Sequence, residues 1–445
     1  MSNVATLQKN ISVKSSGLNG VVVVPGDKSI SHRSLMISSQ AIGVSKISGL
    51  LEGEDVLATA EALRNLGVQI TKEKNGDWVV NGVGVGGLRE SSAVLDLGNS
   101  GTGVRLMMGL VSTYPFTTNF TGDTSLCSRP MSRVMKPLEE MGVNFNARTG
   151  GRLPLSVVGT PDVLPIKYEL PVASAQVKSA ILFAGINCRG NTTVVEPVKT
   201  RDHTELMLKN FGATLDIKDL PNGGREITIH GYPELKARDI VVPGDPSSAA
   251  FLVVAALIVP NSKMTIKNIC MNPLRTGLYD TLIEMGANIK FENKRKEAGD
   301  EVADIVVTSS KLKGIKVPAN RAPAMIDEYP ILSVAAACAE GKTMMEGLEE
   351  LRVKESDRLE AVANGLKKCG VQFEMGKDWL EVTGGQVAGG GLIETFMDHR
   401  IAMSFLVMGM ISKNPVEVDD GSMINTSFPG FAKLMNSLGA GIENV

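Results

Sequence analysis

Six copies of one short pattern divide this chain of 445 residues: an apolar helical stretch ends in Gly, and Val or Ala and a strand-like run follow. A Gly directly after an apolar helix favours a left-handed C-cap, which a residue without Cβ adopts at least cost. The spacing of 69 to 84 residues exceeds that of ordinary solenoids, so each repeat is predicted to be a small α/β subdomain. The glycines are Gly67, Gly142, Gly212, Gly286, Gly370 and Gly439.

Each repeat also contains a strand-like run that leads through a polar loop into an apolar helix, so one repeat reads β, α, β, α, β, β. These runs are 21–24, 94–97, 166–170, 240–242, 315–317 and 392–395. The last repeat stops at Val445 without its closing hairpin. We therefore expect the strand-like segments 11–13 and 21–24 to complete it.

Val-Pro-Gly-Asp occurs twice, at 24–27 and 242–245, and marks the predicted domain boundaries. If the chain crosses between domains at these points, one domain holds 27–241 and the other holds 1–26 plus 242–445. Each domain then contains three repeats. We expect the active site in the cleft between them, because closure on a ligand expels water from a charged site.

Composition narrows the function classes. The formal net charge of −2 provides no general attraction for nucleic acid or an anionic membrane. The longest apolar run, 249–259, is too short to span a bilayer, and the first residues lack a hydrophobic signal region. Five scattered cysteines without a C-x-x-C pair, and four histidines without i,i+4 pairing, argue against structural zinc. These features predict a cytoplasmic enzyme without a metal.

The loops that precede helices carry the chemistry, because a helix N-terminus offers unpaired N–H groups and a positive dipole end to an anion. Lys28, Ser29 and Arg33 lie in the first such loop; an N-cap Ser with surface cations is the alternative interpretation. Residues 99–103, Asn-Ser-Gly-Thr-Gly, resemble a phosphate-binding turn, with Arg105 one turn onward. Residues 174–176, Ser-Ala-Gln, supply neutral donors.

The most charged segment is 352–358, Arg-Val-Lys-Glu-Ser-Asp-Arg. It could be a solvated helix with internal ion pairs, but cations at a helix start are unfavourable unless an anion binds there. Asp327, Glu328 and 398–400, Asp-His-Arg, complete the acid/base candidates; His399 alone reads as a capping or packed side chain. Cations outnumber acids in these loops, which predicts a strongly anionic ligand. The cations are Lys28, Arg33, Arg105, Arg129, Arg201, Lys354, Arg358 and Arg400.

Five of these segments together resemble the 5-enolpyruvylshikimate-3-phosphate (EPSP) synthase family: 25–33, 98–105, 174–176, 351–358 and 398–400. The resemblance covers the whole chain and implies an α/β fold of two domains, each with three βαβαββ repeats. This is the inside-out α/β barrel of the enolpyruvyl transferases. It also implies transfer of the enolpyruvyl group of phosphoenolpyruvate to the 5-hydroxyl of shikimate 3-phosphate, in the shikimate pathway to chorismate and aromatic amino acids, without a metal or organic cofactor.

The family's functional residues carry over by motif. Asp327 would take the hydroxyl proton, Glu355 would protonate the methylene carbon, and Lys28 would assist departure of phosphate. The implied shikimate 3-phosphate ligands are Lys28, Ser29, Arg33, Ser174, Ala175, Gln176, Arg201, Asp327 and Lys354. The implied phosphoenolpyruvate ligands are Lys28, Gly101, Arg129, Gln176, Lys354, Arg358 and Arg400.

Two departures resemble the divergent class II branch of the family. Thr426 stands where many members carry Lys before Ser/Thr-Phe-Pro, and Leu106 stands where many carry Pro. In this family glyphosate mimics phosphoenolpyruvate, and Gly101 occupies the position where the methyl group of Ala would crowd it. The resemblance therefore implies measurable inhibition.

Two alternatives remain open. The sister enzyme that acts on UDP-N-acetylglucosamine shares the fold, but its first loop usually reads Lys-Asn, and it relies on a mobile-loop Cys, to which Cys127 lies close. A non-catalytic anion-binding protein would be expected to lack acids such as Asp327 and Glu355. We expect a monomer that binds small-molecule substrates, with neither nucleic acid nor membrane as a partner.

Overall fold

The computed structural model describes residues 8–297 and 299–445, and the chain forms two compact units. We call Gly26–Pro243 with Lys296–Asp300 the inserted unit. The terminal unit comprises the described residues up to Pro25, together with Gly244–Arg295 and Glu301–Val445.

Thirteen α-helices are formed by the described residues. In the inserted unit they are α1 (Lys28–Ser39), α2 (Glu54–Asn65), α3 (Gly101–Val111), α4 (Thr124–Ser128), α5 (Ser132–Glu140), α6 (Ala175–Gly185) and α7 (His203–Asn210). In the terminal unit they are α8 (Pro246–Ile258), α9 (Gly277–Glu284), α10 (Tyr329–Ala337), α11 (Arg358–Lys368), α12 (His399–Gly409) and α13 (Phe431–Ser437). Short 3₁₀ turns span Ala319–Ala324, Ile326–Glu328, Glu349–Val353 and Ser422–Thr426.

The strands follow in chain order. The first twelve are β1 (Asn10–Val13), β2 (Asn19–Val23), β3 (Ile42–Ser48), β4 (Gln69–Lys72), β5 (Trp78–Val83), β6 (Leu95–Asp96), β7 (Thr117–Thr121), β8 (Asn144–Arg148), β9 (Arg152–Val158), β10 (Lys167–Glu169), β11 (Asn191–Glu196) and β12 (Leu215–Asp219). The others are β13 (Arg225–His230), β14 (Ile240–Val241), β15 (Lys263–Cys270), β16 (Asn288–Glu297), β17 (Asp300–Thr308), β18 (Lys316–Val317), β19 (Lys342–Glu346), β20 (Gln372–Met375), β21 (Trp379–Thr383), β22 (Leu392–Ile393), β23 (Val416–Val418) and β24 (Gly441–Asn444).

These strands form six four-stranded sheets, one for each predicted repeat. In every sheet an edge strand runs parallel to its neighbour, as β6 does to β7. In five sheets a hairpin such as β8–β9 completes the other side, whereas β1 and β24 complete the last sheet. All six glycines of the repeated pattern have positive φ, from 73° at Gly370 to 113° at Gly439. The predicted left-handed C-caps and the βαβαββ order are therefore confirmed.

Two edge strands are exchanged between repeats. β1 pairs with β23 and β24 and closes the last sheet, as predicted. The prediction that 21–24 also joins the last repeat is wrong, because β2 pairs in parallel with β15 of the fourth repeat. In turn β14, which precedes the fourth repeat in sequence, pairs with β3 of the first. Periodicity locates such a strand but carries no information about which sheet its edge joins.

Both Val-Pro-Gly-Asp segments are fixed by reciprocal backbone bonds. The N–H of Asp27 donates to the Pro243 carbonyl at 2.7 Å, and the N–H of Asp245 donates to the Pro25 carbonyl at 2.9 Å. Gly26 admits no side chain, because an added Cβ would collide with the Gly49 carbonyl. Asp27 and Asp245 also cap the helices that follow, accepting from the N–H groups of Ile30 and Ser247.

Three helices form the centre of each unit: α1, α3 and α6 in the inserted unit, and α8, α10 and α12 in the terminal unit. All thirteen residues of α8 are buried, and α12 is buried along its whole length. α3 and α6 approach closely at Gly109, where a Cβ would collide with the Ala180 carbonyl. The N-termini of these buried helices offer unpaired N–H groups and a positive dipole end to an anion. No helix of the described residues combines the length and apolar character needed to cross a membrane.

Candidate active site

The first cluster surrounds the start of α1 in the inserted unit. Lys28 is the first helical residue, and its Nζ lies 2.9 Å from Oδ2 of Asp55 on α2. Asp27 caps the helix, so Ser29 is not the N-cap that the sequence suggested. Asp55 was not predicted as a site residue, because its sequence context is that of any acidic residue in the first turn of a helix.

Arg33 is buried and links three elements. Its Nε donates to Thr204 Oγ1 at 2.6 Å, its Nη2 to Ser179 Oγ at 2.8 Å, and its Nη1 to the Ser29 carbonyl at 3.0 Å. These contacts join α1 to α6 and α7, the helices that follow the predicted ligands at 174–176 and Arg201. Arg33 therefore holds the predicted shikimate 3-phosphate segments together, whatever else it contacts.

The second cluster lies at the start of α3. Arg105 Nη1 donates to Gln176 Oε1 at 3.0 Å, and Gln176 Nε2 donates to Thr102 Oγ1 at 3.0 Å. Arg129 donates to both oxygens of Asn99 and to Ser125 Oγ. A Cβ on Gly101 would lie 2.9 Å from Arg105 Nη1 and 3.1 Å from Arg129 Nη1. Two guanidinium groups thus border Gly101 at a helix N-terminus that Ser100 caps, an arrangement that favours an anion.

The third cluster gathers the acidic candidates of the terminal unit around Arg358. Its side chain is 1% exposed; Nε lies 2.8 Å from Asp398 Oδ2, Nη1 3.0 Å from Asp327 Oδ1, and Nη2 2.5 Å from Glu355 Oε2. Burial alone would lower the pKa of Arg358, but the three carboxylates outweigh it and raise that pKa above its usual value. The segment 352–358 is therefore not a solvated helix; α11 begins only at Arg358, behind the cap Asp357.

Lys354 and Arg400 complete this cluster. Lys354 Nζ lies 3.4 Å from Asp327 Oδ1. Arg400 Nη1 donates to the Asp327 carbonyl at 3.0 Å and lies 3.5 Å from Glu328 Oε1. Asp398 accepts from the N–H of Arg400 and caps α12, so the cap belongs to Asp398 and not to His399. All five residues predicted for this unit, Asp327, Lys354, Glu355, Arg358 and Arg400, lie together.

Buried polar residues that the sequence did not single out support Arg400. Ser247 Oγ donates to Glu328 Oε1, and Arg275 Nη2 donates to Ser247 Oγ at 3.0 Å and to Asp245 Oδ1 at 3.1 Å. A polar residue at the start of an otherwise apolar helix, such as Ser247, is the sequence feature from which this network could have been predicted. Among the described residues no group of three or more His, Cys, Asp or Glu side chains is arranged to hold a metal ion.

His32, which lies between Lys28 and Arg33 in sequence, is buried. Its Nδ1 lies 2.9 Å from Thr59 Oγ1. Burial, with smaller contributions from the Lys28 and Arg33 cations, lowers the pKa of His32 from 6.5 to about 3. The folded state therefore keeps His32 neutral at a pH where the unfolded chain binds a proton. Stability that depends on this group is present above pH 6.5 and is lost as pH falls towards 3.

We expect His32→Asn to weaken the dependence of stability on pH. Between about pH 7.5 and 5.5 the wild-type protein should lose about 1.4 kcal/mol more unfolding free energy than the variant, as measured by urea unfolding. Thr59→Val is the control: it removes the hydrogen bond of the ring without removing the titrating group, so the pH dependence should persist. An unchanged pH dependence in His32→Asn would contradict the prediction.

Comparisons with known proteins agree with the geometry. A family model described as EPSP synthase (3-phosphoshikimate 1-carboxyvinyltransferase) matches residues 13–435. A 3-phosphoshikimate 1-carboxyvinyltransferase of Paramagnetospirillum magneticum is 62% identical over 96% of each chain, and that of Parvibaculum lavamentivorans is 58% identical over 96% of this chain and 95% of its own. The structure of EPSP synthase from Acinetobacter baumannii superposes with a TM-score of 0.87 at 43% identity, covering 99% of this chain and all of that one.

Proposed function

The chain belongs to the EPSP synthase family, and on that premise we propose that it is a transferase of the shikimate pathway. It transfers the enolpyruvyl group of phosphoenolpyruvate to the 5-hydroxyl of shikimate 3-phosphate and releases phosphate. The observation that carries the proposal is the Arg358 cluster, in which one buried guanidinium holds Asp327 and Glu355 side by side. Proton removal and proton donation in one reaction require two such groups.

The inserted unit supplies the proposed acceptor site. Its three central helices begin at Lys28, Gly101 and Ala175, so positive helix ends and side-chain cations serve the same unit. The proposed shikimate 3-phosphate ligands of this unit are Lys28, Ser29, Arg33, Ser174, Ala175, Gln176 and Arg201. Neutral donors such as Ser174 suit hydroxyl groups, and the cations suit phosphate.

Phosphoenolpyruvate carries a carboxylate and a phosphate, and the proposal divides its ligands between the units. Gly101 and Arg129 with Gln176 and Lys28 belong to the inserted unit, whereas Lys354, Arg358 and Arg400 belong to the terminal unit. We propose that both units contribute to one reaction. Thr426 is buried and donates to the Met423 carbonyl, so the position where many relatives place Lys adds no cation here.

The proposed chemistry is addition followed by elimination. Asp327 takes the proton of the 5-hydroxyl while Glu355 protonates the methylene carbon, which gives a tetrahedral intermediate. The Glu355 carboxylate, which gave up its proton in the first step, then removes a proton from the new methyl group as phosphate departs with the assistance of Lys28, and the double bond is restored. Arg358 contacts both carboxylates and so places the proposed base and the proposed acid in one cluster.

The shared guanidinium also limits which variants are informative. Arg358 touches both carboxylates and Asp398, so its replacement would leave buried charges unpaired and disturb folding as well as catalysis. Variants of the partly exposed carboxylates test the roles more cleanly. We further propose, from the composition and the family, that the protein acts as a monomer in the cytoplasm without a metal or organic cofactor.

Release of inorganic phosphate tests the proposal. With phosphoenolpyruvate present, we expect release on addition of shikimate 3-phosphate and none on addition of UDP-N-acetylglucosamine. The rival relies on a reactive cysteine, whereas Cys127 Sγ donates to the Gly122 carbonyl at 3.2 Å beside the short helix α4. Release only with UDP-N-acetylglucosamine would show that the protein has the rival activity. Release with neither acceptor would show that it is a binding protein.

Asp327→Ala is expected to lower turnover by at least ~100-fold, because general-base catalysis contributes about 10²–10⁴-fold. Binding of shikimate 3-phosphate, measured by calorimetry, should weaken much less than turnover falls, because the other proposed ligands remain. Asp378→Asn removes an exposed carboxylate of the same unit and should retain wild-type turnover. Normal turnover in Asp327→Ala would remove Asp327 from the mechanism.

Gly101→Ala tests the proposed phosphoenolpyruvate site. The added Cβ would lie 2.9 Å from Arg105 Nη1 and 3.1 Å from Arg129 Nη1, so these guanidinium groups must shift to make room for it. We therefore expect glyphosate to inhibit the wild-type protein. Half-inhibition of Gly101→Ala should need at least about tenfold more glyphosate, and its KM for phosphoenolpyruvate should be raised. Gly385→Ala, where a Cβ meets nothing within 4 Å, is the matched control. Equal inhibition of Gly101→Ala and the wild-type protein would show that glyphosate does not bind beside Gly101.

A further inference from the structure

A second buried ionic cluster in the inserted unit takes no part in the proposed chemistry. Lys178 Nζ, on α6, lies 3.0 Å from Glu196 Oε2 and 2.7 Å from Glu205 Oε1, and all three side chains are 0% exposed. Glu196 is the last residue of β11 and Glu205 lies in the first turn of α7. We call these three residues the buried triad. It joins three elements around the loop 197–202.

The triad holds that loop through Thr200. Both the backbone N–H and the hydroxyl of Thr200 donate to Glu196 Oε2, at 3.3 Å and 2.7 Å, and Lys178 Nζ donates to the Thr200 carbonyl at 3.3 Å. Every polar group of Thr200 is therefore bound by the triad. The next residue is Arg201, a proposed ligand of shikimate 3-phosphate.

The other side of the loop is held as well. Asp202 Oδ2 lies 3.4 Å from Arg225 Nη1, and Arg225 is the cross-strand partner of Glu196. Thr204, on α7 beside Glu205, accepts from Arg33. Arg201 thus lies between two residues whose positions are fixed, and α7 is tied both to the triad and to the α1 segment of the acceptor site.

A stabilising role alone does not account for the triad. Two carboxylates and one ammonium share a site without solvent, and the cost of burial is visible in Glu196, whose pKa it raises although Lys178 and Thr200 favour the charged form. Apolar side chains of the same volume would usually be as stable as a buried ion pair or more so. Apolar side chains could not bind three polar groups of one loop residue.

We propose that Lys178, Glu196 and Glu205 are positioning residues that fix the backbone at Thr200 and thereby direct Arg201 at the anionic acceptor substrate. This inference rests on the proposed function, since it specifies how one of its ligands is held. The triad does not touch substrate. Its effect is on the affinity for shikimate 3-phosphate and not on the proton transfers of the terminal unit.

Thr200→Val tests the connection directly, because it preserves side-chain volume and removes only the hydroxyl that donates to Glu196. We expect the KM for shikimate 3-phosphate to rise about tenfold, with kcat and the KM for phosphoenolpyruvate little changed. Glu196→Gln should act in the same direction, and Thr200→Ser should restore wild-type values. Titration of shikimate 3-phosphate without phosphoenolpyruvate should show the same rise in Kd.

Two controls separate positioning from general loss of stability. Ile181→Val shortens a buried side chain of the same helix away from the loop, and Lys199→Gln removes an exposed charge of the loop itself. Both should keep the wild-type KM for shikimate 3-phosphate. If Lys178→Met fails to fold, Thr200→Val and Glu196→Gln still decide the matter.

The outcomes are distinct. An inactive wild-type protein would refute the proposed function. An active wild type with Thr200→Val and Glu196→Gln unchanged, or with both KM values raised equally, would refute the triad's role alone. A selective rise in the KM for shikimate 3-phosphate, reversed in Thr200→Ser, is the result that the proposal requires.

Discussion

Mutual packing of three buried helices at the centre of each unit is the constraint on which the rest of the structure depends. The starts of these helices offer unpaired N–H groups and a positive dipole end, which favour anions. Lys28, Gly101, Ala175 and Arg400 all lie in the first turns of such helices. The core and the chemistry are therefore two results of the same arrangement: the packing that removes the helix sides from water gathers the helix starts.

Charge gathered in this way must be balanced within the protein. Arg358 with Asp327, Glu355 and Asp398 is the clearest example, and the removal of one partner from such a cluster costs about 3–5 kcal/mol. The same guanidinium fixes the distance and orientation of two carboxylates that differ in their proposed roles. Burial of the cation makes the geometry rigid, and partial exposure of Asp327 and Glu355 leaves them able to meet a ligand. Stability and placement are thus supplied by one side chain.

The sequence predicted those features that depend on local chemistry. The position after each of these helices needs positive φ, which Gly67 and its five counterparts adopt at least cost, so these glycines indicated the repeats and the βαβαββ order. Features that depend on pairing over a distance could not be predicted in this way. β2 and β14 have the same sequence pattern. Only the three-dimensional packing shows that each strand joins the sheet expected for the other. Asp55, Ser247 and Arg275 were missed because a charged or hydroxyl side chain acquires its role only from the side chain that it meets. Asp27 and Asp398 cap α1 and α12, so the capping alternative for Ser29 is wrong, whereas His399 is buried, in agreement with the packed side chain that was its other interpretation.

The exchanged edge strands have a consequence for the order in which the protein can fold during synthesis. The first repeat lacks its edge strand until Ile240 and Val241 have been made, and β2 has no partner until β15 emerges. β1 pairs with β23 and β24 of the last repeat. The terminal unit therefore cannot close on the ribosome before the last repeat has been made, although the inserted unit has nearly all its sequence available by Pro243. Until then β1 has no partner strand, and exposed strand edges favour aggregation.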